Sequence, residues 1–176
     1  MKIFIAGARS ITIIDNFVIS KLRSICDKHF DVLVGDCYGV DTIVQSFLSE
    51  RSYPNVTVYA SNGKVRNNVG KWPVKNVPVA PTSRGFEFFR QKDIAMANDA
   101  DIGFMIWDGK SRGTLQNILT LAEQGKTVLV YLQKDMLRMT IHSPADAQKL
   151  IPMCDKDAGR VIQTKVAAIV EQISMF

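Results

Sequence analysis

Short runs rich in β-branched and aromatic residues alternate with helix-period patterns along most of this chain. That alternation marks βαβ units, because parallel strands are joined by crossovers lying over a sheet face. Lys2 to Ala6 reads as the first strand. Ile14 to Lys28 reads as a helix, with Ile14, Val18, Leu22 and Ile25 at helical spacing. A second strand at Asp31 to Val34, a helix over Val40 to Glu50 and a third strand at Asn55 to Ala60 follow. A helix over residues 86–98 leads to a strand at Asp101 to Trp107. Another over 114–124, ended by Gly125, leads to a strand at Thr127 to Leu132. The expected fold is α/β: a Rossmann-like open parallel sheet of about five strands flanked by helices.

The length of 176 residues suits one domain, with a core over about residues 1–132 and a C-terminal helical extension over 133–176. Within the extension, residues 134–141 read as a strand or a connector, and Ser143-Pro144 starts a helix. A final amphipathic helix carries Ile162, Val166, Ile169, Val170 and Ile173, an apolar face through which two copies could pair as a homo-oligomer. Ser61 to Ser83 reads as one long loop with Trp72 at its centre.

Composition narrows the class. With 47% hydrophobic and 22% charged residues the chain is an ordinary globular one. No apolar run approaches the roughly 20 residues needed to cross a bilayer, so no membrane partner is expected. The apolar start is too short for a secretion signal and is interrupted by Arg9. Cys26, Cys37 and Cys154 lie far apart, and there are two histidines. Neither a disulfide framework nor a zinc site follows; no metal or cofactor is expected, and the setting is a reducing cytoplasm. Net charge is +5 and local: Arg51 to Phe86 contains no Asp or Glu but holds Arg51, Lys64, Arg66, Lys71, Lys75 and Arg84. Such a field suits a phosphate-bearing ligand, an acidic partner or a nucleic acid; a solvated loop is the plainer alternative.

Three glycine turns fall at the carboxyl ends of strands, where open parallel sheets collect ligands. Gly7-Ala8-Arg9-Ser10 offers a tight turn and a guanidinium able to make paired bonds to phosphate. Gly35-Asp36-Cys37-Tyr38-Gly39-Val40-Asp41 opens a helix and could aim backbone N–H groups at an anion, with Asp36 placed for ribose hydroxyls; Asp41 also suits a helix N-cap. Asp108-Gly109-Lys110-Ser111-Arg112-Gly113-Thr114 gathers two glycines, two cations and two hydroxyls at a helix mouth; Gly113 and Thr114 amides with Ser111 and Thr114 hydroxyls suit a phosphate, though Thr114 also suits an N-cap. On the intervening helix, Glu87, Arg90 and Asp93 stand near the same end, and Arg90 and Asp93 share a face, as a surface ion pair or a site edge.

Together the motifs resemble the SLOG superfamily of Rossmann-like proteins, named for the SMF/DprA and LOG families, over about Lys2 to Leu132. They are the G-x-R turn at Gly7 and Arg9, the G-x-x-x-G-x-D turn at Gly35 to Asp41, Arg90 and Asp93, and the D-G-x-S-x-G-T turn at Asp108 to Thr114. The resemblance implies a nucleotide ligand at the strand ends, closest to small bacterial and phage branches. LOG members are phosphoribohydrolases with a catalytic Glu three residues beyond the turn's Thr; that position here is Asn117. Asn cannot supply the anionic charge wanted beside an oxocarbenium-like sugar.

The leading expectation is a protein that senses or sequesters a nucleotide or nucleoside phosphate through Arg9, Gly35, Gly39, Arg90, Ser111, Gly113 and Thr114. The alternative is an N-glycosidase or deoxyribosyltransferase acting on nucleoside monophosphates, with Glu87, Asp93 or Asp108 as its carboxylate. A third reading is single-stranded nucleic-acid binding, with Trp72 as a stacking platform among the loop cations.

Overall fold

The computed structural model describes residues 1–174, with side chains as far as Ile169. Seven strands form one sheet in the order β4-β3-β2-β1-β5-β6-β7. These are β1 (Lys2–Gly7), β2 (Asp31–Gly35), β3 (Val56–Ser61), β4 (Val74–Val77), β5 (Ile102–Trp107), β6 (Val128–Leu132) and β7 (Leu137–Ile141). The first six run parallel, and β7 lies antiparallel to β6. The α/β expectation holds, with more strands than the five expected. Helices α1 (Asn16–Asp27), α2 (Val40–Glu50), α3 (Gly85–Asp99), α4 (Arg112–Glu123) and α5 (Lys156–Ser174) cover the sheet.

Both faces are buried, which is why the strands read as continuous apolar runs. Ile3, Ile5, Val32, Val34, Phe104 and Ile106 pack under α1 and α2, through Val18, Leu22, Val44 and Leu48. The opposite face packs Phe4, Leu33, Met105 and Val130 against α3, α4 and α5, through Met96, Leu115, Ile118 and Ile162. Val166 joins that core; Val170 and Ile173, assigned by spacing to the same face, lie outside the described side chains.

One expectation is corrected. The stretch from Ser61 to Ser83 is not one loop, because β4 pairs with β3 along Val58↔Val74 to Ser61↔Val77. Its Pro-flanked sequence suits an edge strand, where a missing N–H faces no neighbour. In the C-terminal extension, the strand-or-connector reading of residues 134–141 resolves as a strand, since Leu137 to Ile141 joins the sheet.

The chain winds outward from β1 through β2 to β4, then crosses back through α3 to lay β5 on the other side of β1. Connections leaving β1 and β5 therefore diverge, and a crevice opens between them at their carboxyl ends. Gly7 permits the close approach there: a Cβ on it would lie 2.3 Å from the Ile106 carbonyl oxygen and 2.6 Å from Val40 Cγ2.

Candidate functional site

That crevice is a cleft of about 560 Å³, floored by Ala6, Gly7, Met96 and Asn117 and walled by α3 and the start of α4. Gly7, Arg9, Ser10, Arg90, Asp93, Asp108, Ser111, Gly113 and Thr114 line it, so the β1 and β5 turns meet as the sequence motifs suggest.

The turn after β5 is shaped by Asp108. Its carboxylate accepts from Ser10 Oγ at 2.7 Å and from the amides of Lys110 and Ser111 at 2.9 and 2.7 Å. Burial alone would raise its pKa; the Ser10 hydroxyl and the two amides outweigh that and hold it below the usual 3.8. With its lone pairs so occupied, Asp108 organises the turn. Ser111, not Thr114, is the N-cap of α4: its Oγ accepts from Thr114 N at 3.4 Å and from Thr114 Oγ1 at 3.0 Å. The Arg112 and Gly113 amides are left without a partner among the described residues, at the positive end of the helix dipole. A Cβ on Gly113 would meet nothing within 4 Å, so this position opens onto the cleft.

Cations surround that helix end. Among the described residues Arg9 has only the Cys37 sulfur, 3.6 Å from Nη2, and it leans over the Phe89 ring. Arg90 donates to Gln116 Oε1 at 3.1 Å, and Arg112 lies over the Phe86 ring at 4.4 Å. None of the three forms an ion pair among the described residues. Arg90 and Asp93 line the cleft together but do not pair, because Asp93 is taken by Lys92. Asn117 is 6% exposed and lines the cleft floor, and its side chain makes no hydrogen bond among the described residues.

The β2 turn behaves differently from its sequence reading. The N-cap of α2 is Gly39, and Asp41 sits inside the first turn, accepting the Cys37 amide at 3.1 Å. The chain's own carboxylate thereby takes the Cys37 amide, which the sequence reading had offered to an anion. Gly39 faces Arg9, with φ of 80° and a Cβ position 2.5 Å from Arg9 Cα. Gly35 makes room for a buried ion cluster: its Cβ would fall 2.4 Å from Asp41 Oδ2 and 2.7 Å from Lys92 Nζ. Asp36 is not open to a ribose. It is buried and holds the Arg66 guanidinium by two bonds, at 2.6 and 3.0 Å, and the Arg66 amide by a third at 3.1 Å. Burial works to raise its pKa, but the Arg66 guanidinium and amide and the Lys92 charge bring it below 3.8.

Lys92 carries no sequence mark and is the main residue missed. It is 1% exposed, 2.8 Å from Asp93 Oδ1 and 3.9 Å from Asp36 Oδ1, and lines the cleft floor with Asp41. Burial opposes its charge, yet Asp93, Cys37 and Asp41 more than restore it, so it stays protonated well above its ordinary range. Burial pushes Asp41 up to about 6, with Lys92 pulling against and Asp93 adding to the rise.

The remaining candidates lie elsewhere. Glu87 is exposed and Gly109 faces the C-terminal segment, both outside the lining. Trp72 is buried with its indole N–H on the Tyr53 carbonyl at 2.8 Å, so it offers no stacking surface. Among the described residues no three His, Cys, Asp or Glu side chains are gathered to hold a metal, and no helix is long and apolar enough to cross a membrane.

No family model matches the sequence, and no curated protein does. Among solved structures the chain is similar to DNA processing protein A from Helicobacter pylori, described for its single-stranded DNA binding mode. The TM-score is 0.59 at 13% identity, over 96% of this chain and 81% of that one. At that identity the likeness shows the fold alone, a Rossmann-like sheet.

Proposed function

We propose that the cleft binds a nucleotide or nucleoside phosphate, which the protein senses or sequesters. The observation that carries this reading is the open N-terminus of α4, where among the described residues the Arg112 and Gly113 amides are free beside three guanidiniums that lack a carboxylate. Phosphate would sit on those amides, with Arg9, Arg90 and Arg112 around it and the unpartnered Asn117 below. Phe86 and Phe89, both in the lining, supply apolar faces for a base. Asn117 in place of a catalytic Glu favours binding over hydrolysis, and of the three candidate carboxylates only Asp93 lines the cleft without being tied into a turn.

A second reading, binding of single-stranded nucleic acid, is favoured by the ligand named for the structural neighbour. Trp72 drops out of it, and the cleft aromatics take its place.

Native mass spectrometry with a panel of nucleoside monophosphates, followed by chromatography of the products, tests the main reading. An intact bound nucleotide is expected. Gly113→Phe should weaken binding at least about tenfold, since it fills the cleft where a Cβ meets no neighbour and the fold is undisturbed. Unchanged affinity in that variant would sink the assignment. Release of free base, lost in Asp93→Asn, would instead establish N-glycosidase chemistry.

A further inference from the structure

We propose that the nucleoside phosphate taken by the cleft is the phosphorylated end of a single strand of nucleic acid. This rests on the nucleoside-phosphate reading above and adds to it what lies beyond the bound nucleotide.

The donor set suits a terminal phosphate. A phosphomonoester carries about −1.5 to −2 charge, whereas each backbone diester carries one. The deep end of the cleft offers the Arg112 and Gly113 amides and the Asn117 side chain, with guanidiniums above. A monoester has three free oxygens for such a set and a diester two. A cleft of about 560 Å³ also holds a single nucleotide more readily than a strand passing through.

Cations continue past the cleft. Arg84 directly precedes Gly85 and Phe86, and Lys110 directly precedes Ser111, so both stand where the chain leaves the lining. Lys64 lies just past the carboxyl end of β3, on the 62–73 connection, whose Arg66 covers the Phe89 ring at 4.4 Å. All three are exposed, and none forms an ion pair among the described residues. In the same basic stretch Arg66 is spent on Asp36 and Lys75 on Asp99, and Lys71 stands toward the amino end of the strands, away from the cleft. A free mononucleotide would leave the three exposed cations unused. The phosphates following a strand's first nucleotide would meet them in turn.

Fluorescence anisotropy with thymidine oligomers of about a dozen nucleotides tests this, using strands with a 5′-phosphate, a 3′-phosphate or neither, beside the two mononucleotides. One phosphorylated strand should bind on the order of tenfold tighter than the unphosphorylated strand and tighter than its mononucleotide. Gly113→Phe should erase that end preference. Lys64→Ala should keep it while reducing the salt slope by about 0.7 for the phosphate no longer neutralised. Equal affinity for phosphorylated and unphosphorylated strands overturns the proposal. A mononucleotide binding as tightly as the strand overturns it too, and leaves the nucleoside-phosphate reading standing. No binding of either overturns both.

Discussion

Lys92 shows how one side chain can organise a site without announcing itself in the sequence. Between Gln91 and Asp93 on a helix it looks like a solvated cation, and only the packing of α3 on the sheet turns it inward. Asp41, Asp93 and Asp36 then hold its charge beneath the cleft, in space that Gly35 leaves open. Removing one member of a buried ionic set leaves the others uncompensated, typically at about 3–5 kcal/mol. Lys92→Met is therefore expected to lower the unfolding free energy by about 3 kcal/mol in urea melts near neutral pH. Adding Asp41→Asn should recover part of the loss; strictly additive losses would show that the two groups do not interact. Gly35 and Asp41 were legible as special residues, but their purpose was not. A glycine that admits a ligand and one that admits a neighbouring side chain leave the same mark on a sequence.

At the scale of elements, strands buried on both faces were readable because each is a run of apolar residues bounded by turns. Strand β4 was not, since Lys75 and Asn76 at an exposed edge look like loop. The turn after β5 was legible as a polar helix mouth; its second duty was hidden. Gly109, at φ 78°, brings its carbonyl to the Asp155 amide at 3.0 Å, and a Cβ there would come 2.9 Å from the Met153 carbonyl oxygen. This one glycine ties the C-terminal segment to the cleft turn. Gly109→Ala should cost about 2 kcal/mol, from left-handed strain together with that close approach. The melting temperature should fall by about 6 °C, with the Asp155 and Ala158 amides losing hydrogen-exchange protection first. An unchanged exchange pattern would show that the segment is held by other contacts.

For the molecule as a whole, stability should follow acidity in an uncommon direction. The folded state raises Asp41 from 3.8 to about 6, so between those values it binds more protons than the unfolded chain. By linkage its contribution declines as pH rises through that window. Asp36 and Asp108, held below 3.8, act oppositely, and their stabilisation is lost as pH falls below about 4. Urea midpoints between about pH 4.5 and 6.5 should thus carry a downward component that vanishes in Asp41→Asn; an identical profile in the variant would refute the assignment. No pattern in the sequence foretells this, because it depends on how deeply a residue at a helix start is buried.

The two cores on opposite faces of the sheet each contain one of the chain's two tryptophans, Trp72 beneath α2 and Trp107 beneath α4. Trp107 also donates its indole N–H to the Ser111 carbonyl at 3.0 Å, inside the turn that would receive phosphate. Tryptophan emission from this protein is thus a sum of two contributions with separate origins, one tied to the site and one to the far layer. Exchanging Trp72 for phenylalanine would leave a single lamp beside the cleft, and ligand arrival could be watched in real time without attaching a dye.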